Sequence, residues 1–143
     1  MAVTTRPIAP ELFTWPSGEP RLLGSRCTAC ALMAFPAHDV CPRCGSDEVE
    51  EAAFSRRGTL WTYTTQEFVP KSPPYARVES EATFQPYIVG YVEFAGEGRI
   101  EGRIVGCAAE DLAIGMEMEV TVVPFMVDDD GQEVVTYAFR PAE

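Results

Sequence analysis

The chain has 143 residues, 46% of them hydrophobic, enough for one ordinary core or two small modules. Its 11 basic and 22 acidic residues give a formal net charge of −11, which repels polyphosphate chains and anionic lipid head groups. Charge interrupts the apolar residues throughout, so no stretch approaches the roughly 20 apolar residues that cross a bilayer, and Met1–Pro7 has no apolar signal core behind Arg6. A cytoplasmic protein is the expectation.

Residues 1–20 form an N-terminal segment rich in proline (Pro7, Pro10, Pro16, Pro20), with room for a short helix around Glu11–Trp15. Leu12, Phe13 and Trp15 are then an apolar cluster with little local core to hide in. Residues 21–57 follow as a compact, loop-rich module containing the runs Leu22-Leu23 and Leu32–Phe35 and four of the five cysteines. So small a module does not bury enough surface to fold without a staple.

The cysteines supply one. Cys27-Thr28-Ala29-Cys30 and Cys41-Pro42-Arg43-Cys44 are two CxxC turns, separated by ten residues that suit a short hairpin. Two residues between cysteines let one tight turn aim both sulfurs at a single point, and two such turns facing each other complete a tetrahedral thiolate site. The reading is one structural zinc ion with no open position for catalysis. A redox dithiol and a rubredoxin-like iron site share the spacing. A disulfide framework belongs to exported chains and fits less well.

From Gly58 to residue 143 the pattern is that of strands. Thr59–Glu67 is rich in β-branched and aromatic residues, and Tyr87–Phe94 repeats the type. Between them lie about twenty residues, Phe68–Pro86, containing Pro70, Pro73, Pro74 and Pro86, a length that in a small domain usually has a functional reason. In Arg99–Val105, Ile100, Gly102 and Ile104 alternate with Arg99, Glu101 and Arg103, giving one face to a core and one to water. Ala108–Leu112 has room for one helical turn. Met116, Met118, Val120 and Val122 then alternate with Glu117, Glu119 and Thr121, Asp128–Gly131 makes a turn, and Val134–Arg140 is a fifth strand. Five strands with a helical turn between the third and fourth predict a mainly β protein in which a zinc ribbon precedes a five-stranded OB-fold barrel.

Charge is uneven between the two parts. Up to residue 57 there are 6 basic and 7 acidic residues, and from Gly58 onward 5 basic and 15 acidic. A single-stranded nucleic-acid platform on Trp61, Tyr63 and Phe68 is the alternative that an OB-fold always raises, and a net −10 on the barrel argues against it. Core packing for half of these aromatics, and contact with a ligand or partner for the rest, fits better. His38 is the one histidine and has no nucleophile or orienting acid beside it, and Cys107 has no neighbouring base. Neither is expected to be catalytic.

Taken together, Cys27-x-x-Cys30, Phe35-Pro36, Cys41-Pro42-x-Cys44-Gly45-Ser46, Gly58–Thr64, Pro86–Glu93 and Asp111-Leu112-x-Ile114-Gly115-Met116 resemble the DUF35 family. The resemblance spans nearly all of residues 10–140 and implies a rubredoxin-like zinc ribbon joined to an OB-fold. It also implies a role as a non-catalytic accessory subunit. The expected partner is a thiolase-superfamily catalytic subunit (thiolase, acyltransferase or aldolase) acting on acyl-CoA thioesters, in a heterotetramer. Only the four cysteines carry over as site residues, as zinc ligands. Phe68, Lys71, Tyr75 and Arg77, with Phe13 and Trp15, are the expected partner- or CoA-facing residues, Lys71 and Arg77 offsetting the acidic barrel near CoA phosphates. One departure is Ala31, where many relatives have the glycine that eases a turn of positive φ.

Overall fold

The computed structural model describes residues 5–9, 11–15, 19–67 and 85–142. Among these residues nine strands follow one another: β1 (Thr5–Pro7), β2 (Leu23–Cys27), β3 (Met33–Ala34), β4 (Val49–Ala53), β5 (Arg57–Gln66), β6 (Tyr87–Phe94), β7 (Gly98–Ile104), β8 (Glu117–Val127) and β9 (Glu133–Pro141). A single turn of 3-10 helix, Ala109–Asp111, separates β7 from β8.

Strands β5 to β9 close on themselves in the order β9-β7-β6-β5-β8, with β8 returning to β9. All neighbours are antiparallel except β7 and β9, which meet in parallel at Ile104↔Phe139. This is the closed five-stranded barrel of the OB-fold, with the helical turn where the sequence predicts it. Alternation along β6 and β7 sends Ile88, Val92, Phe94, Ile100 and Ile104 inward, where Leu60, Met118, Val120 and Phe139 join them. Gly102 faces inward too, because a Cβ there would strike the rings of Phe139 and Tyr137.

The alternation misreads one position. Glu119 does not face open water; it is 6% exposed. Its strand is paired on both sides, and the cross-strand neighbours opposite it are Arg57 and Arg140. Arg140 Nε donates to Glu119 Oε1 at 2.8 Å, and Arg57 Nε lies 3.7 Å from Oε2, so the carboxylate is buried beneath two half-exposed guanidiniums. Strand β8 also runs further than its alternating section, continuing through a bulge at Pro124 to Val127.

The ribbon is a three-stranded antiparallel sheet in the order β3-β2-β4. Gly24 lies where a Cβ would collide with the Ala34 carbonyl oxygen and the Phe54 ring, so only glycine lets the hairpin close there. An aromatic ladder ties this sheet to the barrel: Phe35 meets Tyr137 edge-on at 5.4 Å, Phe54 meets Phe94 at 5.9 Å, and Phe94 meets Phe139 at 6.1 Å. Ser55 adds a polar clasp, its amide and hydroxyl both donating to the Glu97 carboxylate.

The N-terminal segment corrects the sequence reading. Glu11–Trp15 is not helical. Phe13 forms an antiparallel bridge with Leu22, supported by Thr14 N–H donating to the Arg21 carbonyl and Leu23 N–H to that of Leu12. Five residues between prolines are too few to nucleate a helix, whereas an extended chain buries Phe13 to 1% exposure. Ahead of it, β1 lies parallel to the outer edge of β9, a strand that the sequence pattern does not announce.

Candidate metal centre and its surroundings

The four cysteines occupy two turns of the same geometry. Each first cysteine accepts, at its carbonyl, an amide from four residues on: Ala31 N–H to Cys27 at 2.8 Å, and Gly45 N–H to Cys41 at 2.9 Å. Each also donates its own amide across the turn, Cys27 to the Leu32 carbonyl and Cys41 to that of Ser46. The residue after each knuckle has a positive φ, +78° at Gly45 and +68° at Ala31. At Gly45 this is free of strain; at Ala31 the Cβ crowds the backbone.

The two turns bring Cys27, Cys30, Cys41 and Cys44 together with all four sulfurs within 4.8 Å of one another. Cys27 and Cys44 are 3.5 Å apart and Cys30 and Cys41 3.6 Å, far beyond the roughly 2 Å of a disulfide. A tetrahedron with metal–sulfur bonds of about 2.3 Å has sulfur–sulfur edges near 3.8 Å, so the donor set fits zinc in both number and spacing. All four ligand positions are filled by thiol sulfur, which suits a structural ion.

The local electrostatics prepare the site for a cation. The Leu32 amide and then the Arg43 guanidinium stabilise the Cys30 thiolate against burial, lowering its pKa to about 6. The amides of Cys44 and Arg43 hold the Cys41 thiol below its ordinary value. Cys44 goes the other way, to about 12: the Ser46 amide pulls it down, but the crowding sulfurs, Cys27 foremost, and burial outweigh that pull. Four adjacent sulfurs cannot all carry charge unaided, and a divalent ion among them releases the remaining protons. Arg43, which the sequence reading passes over, binds both the Cys30 carbonyl and its sulfur, at 3.1 and 3.6 Å. Its place inside the second CxxC is the signal that could have found it.

The other singled-out residues are dispersed. His38 is exposed, with its amide donating to the buried Ser25 hydroxyl at 3.0 Å. Cys107 is half-buried, and burial and then Asp111 push its thiol up, away from reactivity. Phe13 is spent on the chain's own core, so it offers no surface to a partner; Trp15 is half-buried against that core. Phe68, Lys71, Tyr75 and Arg77 lie outside the described residues. Of the barrel aromatics, Tyr63 packs against the core while Trp61 is 44% exposed, touching Tyr91 edge-on at 6.0 Å and the Arg99 guanidinium at 4.0 Å. No helix among the described residues is long and apolar enough to cross a membrane.

The family model for the rubredoxin-like zinc ribbon domain of ChsH2 matches residues 18–50, and that for the C-terminal OB-fold domain of ChsH2 matches residues 51–123. The chain is 36% identical to a DUF35 domain-containing scaffold protein of Methanocaldococcus jannaschii, over 85% of this chain and 82% of that one. It is 29% identical to the benzoylsuccinyl-CoA thiolase subunit BbsA of Thauera aromatica, over 92% and 85%. Among solved structures, the Ltp2-ChsH2(DUF35) aldolase is similar, with a TM-score of 0.62, 28% identity and 86% of each chain covered. The matched ribbon and barrel meet the four-sulfur site and the closed sheet described above, and the chain belongs to the DUF35 family of zinc-ribbon and OB-fold proteins.

Proposed function

We propose that this chain is a non-catalytic, zinc-stapled accessory subunit of a thiolase-type enzyme acting on acyl-CoA thioesters. The observation that carries this reading is near full-length likeness to a thiolase subunit and to a two-component aldolase. The chain's own chemistry supports it. Acyl transfer needs an activated nucleophile and a base within reach of each other; here the one histidine is exposed, burial and Asp111 push the fifth cysteine's thiol up, away from the nucleophilic thiolate, and the other four are a ligand set. In the loaded protein Cys27, Cys30, Cys41 and Cys44 would hold zinc, which supplies rigidity to the ribbon and no open coordination site. The partner would supply the reacting groups, in an assembly of two kinds of chain for which a heterotetramer is the natural symmetric form. Lys71 and Arg77, with Phe68 and Tyr75, are the residues that this reading assigns to the thioester or to the subunit boundary. The compartment is the cytoplasm, where thiols stay reduced and free to bind metal.

The test is purification of the tagged chain from its own cells, with mass spectrometry of what accompanies it. A thiolase-superfamily subunit at fixed stoichiometry is expected, with acyl-CoA turnover by the pair and none by this chain alone. His38→Ala and Cys107→Ser should each leave turnover of the pair within about tenfold of the unmodified complex. Turnover by the isolated chain, or RNA as its stoichiometric companion, would overturn the reading.

A further inference from the structure

Between the ribbon and the barrel lies a crevice of about 350 Å³. Phe35 and Pro36, from the ribbon, form one wall, and Tyr137 of β9 with Tyr91, Arg99 and Glu101 of β6 and β7 form the other. Tyr91, 38% exposed, lines it, and Trp61, 44% exposed, packs beside it on Tyr91 and Arg99. Both are fixed by their neighbours. Trp61 is clasped between Tyr91 and the Arg99 guanidinium, and Arg99 is itself anchored by its Nε donating to Glu93 Oε2 at 2.7 Å. Tyr91 and Glu101 are direct cross-strand partners, and Tyr137 Oη donates to the Glu101 carbonyl at 2.8 Å.

Two features of this arrangement point to a partner of definite chemistry. Exposed Trp, Tyr and Arg around an apolar recess are the composition of binding hot spots, and side chains already locked in place lose little entropy on docking. Charge then selects the occupant. Arg99 is committed to Glu93, while among the described residues no arginine pairs with the exposed Glu101 carboxylate, on a chain whose net charge is −11. A basic side chain approaching this rim is attracted both locally and by the whole molecule.

We infer that this crevice is where the catalytic subunit docks, inserting an aliphatic or aromatic side chain flanked by a lysine or arginine that pairs with Glu101. The inference rests on the accessory-subunit reading above and gives the ribbon a part in it. Phe35 and Pro36 lie on the hairpin between Cys30 and Cys41, so the four-cysteine site positions one wall of the crevice and the barrel supplies the other.

The test is calorimetric titration of the purified catalytic subunit into the full zinc-loaded chain. Tyr91→Ala is expected to weaken binding by about tenfold or more. Glu101→Gln should weaken it less and flatten its salt dependence, because one ion pair is gone. Val127→Ser, at the exposed end of β8, should bind like the unmodified chain. Unchanged zinc content and circular dichroism would show that each variant is folded, and Glu101→Gln, at an exposed position, keeps the test open if Tyr91→Ala is not. Binding by both crevice variants within about twofold of the unmodified chain, with its salt dependence intact, overturns the docking site and leaves the accessory role standing. No binding by the unmodified chain overturns both.

Discussion

The ribbon and the barrel solve the problem of folding in different ways. The barrel closes a sheet on itself and fills it with its own side chains, among them Leu60, Val92, Ile100, Met118, Val120 and Phe139, each 4% exposed or less. The ribbon has three short strands and no interior of comparable size. Its buried residues point to its two ends: Cys27 and Cys41 toward the sulfur site, Leu22 and Phe54 toward the barrel. One module is held by burial, the other by a metal at one end and borrowed apolar surface at the other. The lesson is that a segment too small for its own core can still hold a defined shape if it is pinned twice.

The strongest way to break this contrast is to remove the metal pin. Cys41→Ser should forfeit most of a metal-binding free energy on the order of 10 kcal/mol, leaving the ribbon unfolded with little bound zinc while the barrel keeps its strand signal. Metal analysis with far-ultraviolet circular dichroism reads both, and a folded ribbon after complete chelation would refute the contrast. Removing the other pin should cost less. Phe54→Ala deletes a 1% exposed ring lying between Phe35 and Phe94 and should destabilise the protein by about 3–5 kcal/mol in denaturant titration, with zinc still bound.

The pH dependence of zinc affinity sharpens the picture further. Cys44, pushed up to about 12, must give up a proton on binding at any ordinary pH, whereas Cys30, lowered to about 6, must do so only in acid. Affinity should therefore fall as pH falls, and the slope of its logarithm against pH should steepen by about one below pH 6, as competition with a chromogenic chelator would record. The smallest effect concerns the strained turn. Ala31→Gly removes a Cβ held at φ +68° and should raise stability by roughly 1 kcal/mol, which thermal melting of the zinc-loaded protein would detect.

The zinc site was legible because its chemistry is local: two CxxC turns declare their ligands by spacing alone. The barrel was legible wherever a strand is buried on one face only, as in Arg99–Ile104. The pattern failed where pairing on both sides of β8 roofed Glu119 with arginines, because alternation reports a face and not what covers it. It failed again at Phe13, whose partner Leu22 lies nine residues on in the chain and beyond any local periodicity. Trp61 stood out in the sequence, as an aromatic for either the core or a partner, but Tyr91 and Arg99 left no distinct trace, since an outward residue on an alternating strand reads the same whether it meets solvent or a subunit.

The parallel meeting of β7 with β9 carries a consequence for how the barrel comes apart. The seam between β8 and β9 runs from Met118↔Pro141 to Val127↔Glu133, and β6 and β7 are paired along their whole length, but β7 touches β9 in register only at Ile104↔Phe139. The barrel therefore resembles a cuff with one button. Amide protons along this seam, that of Val105 donating to the Phe139 carbonyl first among them, should exchange with solvent through openings that leave the antiparallel ladders intact. The Glu101–Tyr137 hydrogen bond crosses the same seam, and Phe35 packs on Tyr137 beside it. Anything bound there fastens the cuff, and slower exchange at Val105 becomes a gauge of occupancy that needs no enzymatic assay.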